Sequence, residues 1–419
     1  MNVRMNEFKK VLSSPIILGL LILFIVFNSI TIFKSSYFKD DLKVLNEVVA
    51  KFGYKIDDEM VNRLKEYYEE QINRLNEITE KRTAKRYSSV SEFYKDNFYN
   101  MEDVYSEEEK MFIRNLGIIE NYYYEIGQVD ELYSNIDIIA KGEYEIKKYG
   151  LSGKAADTVR NQYREFNDRF HQLIRNGEHK NLFFMGKVYK MHSLLFKTIF
   201  KTIIFEIVIL SVLITLYLIN YEFDCNTEYI IYTTKRGRNL IIDKLCIAIC
   251  SNLLVATIII FTALSLYFTI FNYSGLWNVP ISSYFNAEYS FPYMSWWNMS
   301  FKQYLFLSIL VIYASMMLFT GIAFILARAI KNNYIGFVVF GIVFGLFLTV
   351  PNMIPRNTNL IFIGGFTPFF LIMNPNIWFM ENEALVTFKY YELSTISIWT
   401  VLLLILSVLS VKRFKRQDI

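Results

Sequence analysis

Residues 150–154 have the sequence GLSGK, which partly matches two active-site motifs. A phosphate-binding P-loop needs glycine five residues before the Gly-Lys pair and Ser or Thr after the lysine. Those positions hold Lys148 and Ala155. A nucleophile elbow needs glycine two residues after the serine, where this chain has Lys154. The segment therefore predicts a helix-breaking turn and neither kind of active site.

The three histidines, His171, His179 and His192, are eight and thirteen residues apart. Zinc ligands usually recur three or four residues apart, and the chain has no H-E-x-x-H sequence. The apolar stretches also lack the paired acidic residues of an intramembrane protease. We expect no catalytic residues, no metal and no cofactor held by this chain.

Six apolar stretches are long enough to cross a bilayer as helices, because a span needs about 20 predominantly apolar residues. They are residues 14–33, 198–218, 245–271, 304–327, 334–350 and 394–411. Residues 35–196 instead carry 54 of the 84 charged residues. The sequence therefore predicts an all-α integral membrane protein, with six transmembrane helices and one large polar domain at 34–197.

Orientation follows from the placement of Lys and Arg, which are enriched on cytoplasmic flanks. With the N-terminus inside, the inner flanks collect thirteen of them and the two short outer loops three. We expect both ends, including the tail 412–419, in the cytoplasm, 34–197 outside, and the first span kept as an anchor. The same placement explains the basic residues without nucleic-acid binding.

The polar domain reads as mostly helical, with about five helices. An apolar stripe between 57 and 81 recurs every three or four residues and needs a partner helix, for which 155–175 is the candidate. All three cysteines lie at 225–250, so no disulfide is expected in the domain. Residues 1–13 alternate apolar and basic positions, which indicates an amphipathic elbow helix on the inner surface.

The outer loop at 351–393 contains an apolar run interrupted by glycines and prolines, which predicts two half-helices that re-enter the outer leaflet. Pro368, Phe369 and Phe370 are candidate gate residues there. Glu206, the only ionisable residue well inside a predicted span, has two readings. Either it lines a cavity or gate, or it reaches the outer interface or pairs with a lysine.

The inner loop at 219–244 carries the most specific pattern. An acidic start at 222–228 is followed by the apolar turn 229–232, by a Lys/Arg/Gly stretch and by Lys244 at the next span. This order predicts a short helix lying across the inner surface.

At these residues the chain resembles the permease subunits of ABC-2-type exporters, including members for peptide export or peptide immunity that carry a large outer domain. The resemblance implies that this loop contacts the ATPase through Asp224, Asn226, Thr227, Thr234, Arg236, Gly237, Arg238 and Lys244. It extends to an elbow at Glu7, Phe8 and Lys9. The family's frequent proline near the arginine is absent, with Thr233 or Thr234 in its place.

The resemblance further implies partners that this chain lacks. They are two copies of an ATPase that bind ATP and Mg, and a second permease subunit in the plasma membrane of a bacterium. The expected substrate is a hydrophobic or amphipathic peptide. A sensor or mechanical transmitter that moves nothing across the membrane is the alternative, and a membrane enzyme ranks third.

Overall fold

The computed structural model describes residues 3–97, 99, 101–184, 193–234, 237–288 and 291–416. Over these ranges the chain forms eighteen α-helices. Two strands of two residues each, β1 (Ala287–Glu288) and β2 (Phe291–Pro292), pair antiparallel. The predicted all-α class is therefore confirmed.

Six helices in the described ranges are long and apolar enough to cross a membrane. They are α2 (Pro15–Lys34), α11 (Phe200–Asp224), α13 (Leu240–Ile270), α14 (Phe301–Ala329), α15 (Asn333–Met353) and α18 (Tyr391–Arg416). A π-helical stretch, Ser193–Ile199, leads into α11. These helices agree in number and order with the six predicted stretches, and helical structure extends into the predicted inner loop 219–244 from both sides. Helix α11 continues to Asp224 and α13 already begins at Leu240.

Helix α11 forms the centre of the bundle and packs against α2, α13, α14 and α15. Its side chains are buried on nearly every face, whereas α2, α15 and α18 leave most of their apolar side chains exposed. Apolar surface of this kind is stable in lipid and not in water. The packing is therefore that of a membrane bundle with one fully enclosed helix.

The bundle has two distinct ends. At one end α1 (Val3–Leu12) packs against α2, α11 and α13, and the short helix α12 (Glu228–Tyr232) joins α11 to α13. We call this the elbow end, and the predicted elbow at 1–13 is a helix there. The opposite end carries the polar domain, for example through Asn46, whose side chain donates to the Asn272 carbonyl at 2.6 Å. We call it the domain end.

The polar domain contains eight described helices, so the expected number of about five is wrong. They are α3 (Lys39–Phe52), α4 (Asp58–Thr83), α5 (Val90–Asn97), α6 (Met101–Val104), α7 (Glu107–Ile126), α8 (Val129–Ser134), α9 (Ile138–Tyr149) and α10 (Gly153–Arg175). The expected pairing of α4 with α10 is also wrong, since α4 packs mainly on α7 and α10 on α9. Gly142 permits the second pair, because a Cβ there would lie 2.7 Å from the Tyr163 ring.

The GLSGK segment is the turn between α9 and α10. Gly150 ends α9 in the left-handed region at φ +62°, and the backbone N–H of Leu151 donates to the Ile146 carbonyl at 2.9 Å. This arrangement caps the helix C-terminus. The motif therefore has a structural role.

The segment between α15 and α18 contains two short helices, α16 (Leu360–Gly365) and α17 (Pro368–Leu371), followed by the 3-10 turn Pro375–Ile377. Pro368 begins α17, where its missing N–H costs no hydrogen bond. The chain thus has two short helices at the domain end, in the run where the sequence predicts two half-helices.

Candidate functional site

A buried ion pair joins α11 to α13 at the elbow end. The Lys244 ammonium contacts the Glu222 carboxylate, and both side chains have zero solvent exposure. Lys244 Nζ also donates to the Leu218 carbonyl at 2.5 Å, and the Tyr232 hydroxyl donates to Glu222 Oε2 at 3.2 Å. Removing one partner of a buried pair typically destabilises a protein by about 3–5 kcal/mol. The pair therefore holds the two helices in a defined arrangement.

Helix α1 adds a second pair of charges to this centre. Lys10 Nζ lies 2.6 Å from Glu7 Oε1 and 3.4 Å from Glu222 Oε1, and Glu7 Oε2 lies 3.9 Å from Lys244 Nζ. Burial lowers the pKa of Lys10, but the Glu7 and Glu222 carboxylates outweigh it and raise that pKa overall. We call Glu7, Lys10, Glu222, Lys244 and Tyr232 the elbow cluster.

A further ion pair supports the same packing at its edge. Arg4 Nε donates to Asp243 Oδ1 at 2.7 Å, so α1 is also attached to the first turn of α13. The Lys10 ammonium lies 3.9 Å from the centre of the Tyr221 ring, a cation–π distance. Helix α1 therefore contacts α11 and α13 through charge as well as through apolar packing.

The short helix α12 is attached to the elbow cluster on one side and open on the other. Tyr232 is buried against Phe223 and Phe414, and its burial raises the pKa of its hydroxyl, which remains a proton donor to Glu222. Tyr229 and Ile230 are 66% and 73% exposed. An exposed apolar pair on an anchored helix is a surface suited to a protein partner.

The loop residues predicted to contact an ATPase fall into different environments. Lys244 belongs to the elbow cluster, whereas Asp224 is exposed. Asn226 is exposed in the left-handed region at φ +53°. Thr227 lies directly before α12, with its backbone N–H donating to the Glu222 carbonyl at 2.9 Å. The buried acid is therefore Glu222, which the sequence pattern missed.

The remaining loop residues lie after α12. The exposed Thr234 hydroxyl donates to the Ile231 carbonyl at 2.8 Å. A Cβ on Gly237 would lie 1.9 Å from the same carbonyl oxygen, so glycine is required there. Arg238 follows in the 3-10 turn Gly237–Asn239, and Arg236 lies outside the described residues. Gly237 thus packs directly against the end of α12.

The predicted elbow residues also differ from one another. Glu7 is buried in the elbow cluster, Phe8 is partly buried against the apolar core, and Lys9 is exposed. Lys10, which the sequence pattern did not single out, makes the ionic contacts. Its spacing of three from Glu7 on one helix face is the signal that could have found it.

Glu206 lies buried between α11 and α2. It is 4% exposed, and the Asn28 side-chain amide donates to its Oε2 at 2.6 Å. Within the described ranges its Oε1 has no hydrogen-bond partner. The described contact is with an asparagine of the first span, in place of the lysine or the interface considered from the sequence.

The gate candidates occupy the domain end. Pro368 and Phe369 are buried, and Phe369 packs on the rings of Phe347 and Trp399. Phe370 lines a cavity of about 310 Å³.

The polar domain rests on the same segment through several contacts, which include two ion pairs or hydrogen bonds to residues 381–382 and two hydrogen bonds to residues 356–359. Lys141 forms an ion pair with Glu381, and the Tyr163 hydroxyl donates to the Asn382 carbonyl at 2.9 Å. The backbone N–H of Ser152 donates to the Arg356 carbonyl at 3.1 Å, and the Thr158 hydroxyl donates to Asn359 Oδ1 at 3.0 Å. Helices α9 and α10 therefore contact the chain between α15 and α18 directly.

Comparison with known proteins adds no family to this geometry. No family model matches the chain, and neither a curated protein nor a solved structure matches it. In the described ranges no group of three or more His, Cys, Asp or Glu side chains could hold a metal ion. The structure defines the class: a helical protein with six helices able to span a membrane, a charged cluster at one end and a polar domain at the other.

Proposed function

We propose that the chain is the permease subunit of an ATP-driven exporter of the ABC-2 type. It moves a hydrophobic or amphipathic substrate, such as a peptide, outward across the plasma membrane. The elbow end faces the cytoplasm, consistent with the excess of Lys and Arg on those flanks, and the polar domain lies outside. Two ATPase subunits supply ATP hydrolysis, and a second permease subunit completes the pathway.

The observation that carries this proposal is the connection of α12 to the elbow helix α1 and to the two membrane helices α11 and α13. Tyr232 of α12 donates a hydrogen bond to Glu222, and Glu222 forms an ion pair with Lys244. Glu222 also pairs with Lys10, and Lys244 lies close to Glu7. Because separating buried charges costs several kcal/mol, a displacement of α12 moves α1, α11 and α13 with it. A transporter that is driven by a separate ATPase subunit needs such a connection.

The docking surface itself is small and apolar. Tyr229 and Ile230 are both exposed on α12, and a short apolar helix face fits a groove on a partner. The resemblance of the loop sequence to ABC-2 permeases identifies that partner as the ATPase. Asp224, exposed beside α12, is available to the same partner.

At the domain end the polar domain serves as a lid over the exit. Its α9 and α10 contact the segment that contains the gate candidates, and the cavity beside Phe370 is closed on one side by Tyr149 at the end of α9. Movement of the membrane helices would therefore change the fit between lid and gate. The half-helices α16 and α17 are proposed to re-enter the outer leaflet.

One alternative function is also favoured by a specific observation. The Lys141–Glu381 and Tyr163–Asn382 contacts join the polar domain to the segment that leads into α18. A sensor would use the same contacts to pass a ligand signal through the membrane without transport. Uptake of a fluorescently labelled cationic amphipathic peptide into inverted vesicles, with and without ATP, separates the two functions.

The docking step is tested by the variant Ile230→Glu, co-expressed with the proposed ATPase partner. A charge on the apolar face should reduce co-purification of the ATPase and ATP-dependent uptake together. Ile139→Glu is the control, because Ile139 is also an exposed isoleucine, on α9 in the polar domain at the other end of the bundle. Unchanged co-purification of Ile230→Glu, or an equal loss in Ile139→Glu, contradicts the assignment of α12 as the docking surface.

A further inference from the structure

A cavity of about 590 Å³ opens on the side of the bundle at the domain end. It lies where α14 and α18 begin. Phe306, Leu307 and Leu393 form its floor. Phe306 and Leu393 are 60% and 62% exposed, on helices of the membrane-spanning class. In a bilayer the mouth of this cavity would therefore face acyl chains.

The upper rim of the cavity is aromatic and cationic. The Lys389 ammonium lies 5.1 Å from the centre of the Trp297 ring and 5.8 Å from that of Tyr390. The carboxylate of Glu165 is 3.8 Å away, which is an ion-pair distance but too long for a hydrogen bond. Lys389 therefore keeps donors for an additional acceptor at the rim. Trp, Tyr and Lys at this level are the residue types that sit among lipid headgroups.

One acidic residue also lines the cavity, and its carboxylate is turned into the protein. Glu392 is 5% exposed, and its Oε1 accepts the backbone N–H of Phe379 at 2.7 Å. That bond helps to hold Phe379 in the left-handed region at φ +61°, an uncommon conformation for a bulky side chain. The Phe379 carbonyl accepts from the Ser295 hydroxyl at 2.9 Å and from the Trp296 N–H at 3.0 Å.

A wall held in a costly conformation by three hydrogen bonds is a fixed surface. Apart from Phe379, the inner wall is Met299, which is buried. The cavity is thus a preformed groove with an apolar floor, rigid inner wall and one cation at the rim. Its volume is in the range of small-molecule sites, which bind apolar ligands with a few fixed polar groups.

We propose that this cavity binds a phospholipid with an anionic headgroup, drawn from the surrounding bilayer. One acyl chain lies along Phe306, Leu307 and Leu393, and the phosphate accepts from the Lys389 ammonium beside Trp297. The position between two membrane helices favours a lipid over a soluble ligand, since the cavity opens sideways. The site does not depend on ATP-driven export, so the two proposals fail independently.

The test is native mass spectrometry of the chain after release from bilayers that contain equal amounts of phosphatidylglycerol and phosphatidylcholine. The wild-type chain should retain phosphatidylglycerol with a preference of roughly fivefold, the factor expected for one lysine near an anionic lipid. Lys389→Gln should lose this preference, and Lys389→Arg should keep it.

Lys302→Gln is the matched control, because Lys302 is an exposed lysine in the first turn of α14 that does not line the cavity. It should retain the preference. Leu393→Trp fills the floor and should reduce retention of both lipids. Equal retention of the two lipids by the wild-type chain, loss of the preference in Lys302→Gln, or unchanged retention in Leu393→Trp would each overturn the proposal.

Discussion

Replacing Lys244 by methionine tests whether the elbow cluster holds the membrane helices together. The variant loses the contact with Glu222 and the hydrogen bond to the Leu218 carbonyl. Glu222 is then left buried, with the Tyr232 hydroxyl at 3.2 Å and the Lys10 ammonium at 3.4 Å. Because these two groups compensate part of its charge, we expect the free energy of unfolding to fall by about 3 kcal/mol, the lower end of the range for a broken buried pair.

Removing the other partner of the pair, by Glu222→Leu, should lower the free energy of unfolding by more. It leaves the Lys244 ammonium with zero exposure, one carbonyl acceptor and the Glu7 carboxylate 3.9 Å away. We expect about 5 kcal/mol for this variant, the upper end of the same range. The double variant, with both changes, leaves neither charge uncompensated and should lie within about 1 kcal/mol of the wild-type chain.

The measurement is the free energy of unfolding in mixed micelles of dodecyl maltoside and dodecyl sulfate. Lys85→Met is the surface control, because the Lys85–Asp96 ion pair is exposed on both sides and should contribute nothing measurable. Additive losses in the double variant, or a Lys244→Met loss as small as that of the control, would refute the claim that the cluster couples α11 to α13.

Three further outcomes are expected. Gly237→Ala should displace α12, because its Cβ would meet the Ile231 carbonyl oxygen at 1.9 Å, and limited proteolysis should show faster cleavage between α11 and α13 than in wild type. Asn28→Leu removes the donor to buried Glu206 and should lower the free energy of unfolding by about 1–3 kcal/mol, while adding Glu206→Leu should restore most of it. Burial, the largest effect, lowers the pKa of His179 below its usual 6.5, so the unfolded chain binds the proton more readily. The contribution of His179 to the free energy of unfolding is therefore complete above pH 6.5 and is lost as the pH falls below that value. In His179→Gln the free energy of unfolding should decline less steeply over the same pH range.

The loop residues show why the site was only partly predictable. The sequence pattern placed Lys244 at the start of a span and Glu7 on an elbow helix; in the structure Lys244 lies in the second turn of α13 and Glu7 on α1. Asp224 and Glu222 are both acidic residues and lie two positions apart, so the composition of the loop did not show which of them forms the ion pair. Only the rotation of α11 decides it, because that rotation turns Glu222 toward Lys244 and leaves Asp224 exposed.

The polar domain shows the same limit over longer distances. Apolar spacing predicted the helix α4, because periodicity is a local property. It did not identify its partner, since any apolar stripe of similar length fits equally well. The choice of α7 reflects specific contacts such as the Tyr68 hydroxyl, which donates at 2.6 Å to the buried Glu120 carboxylate.

The sequence by itself determined the six apolar helices, their order and the position of the polar domain. Length and hydropathy are enough for that, because in lipid each spanning segment must satisfy its own backbone hydrogen bonds. The tertiary structure alone decided which polar side chains meet: Glu222 with Lys244, Glu206 with Asn28 and Lys141 with Glu381. These pairs are 22, 178 and 240 residues apart, and no local pattern specifies a contact that depends on how whole helices rotate and pack.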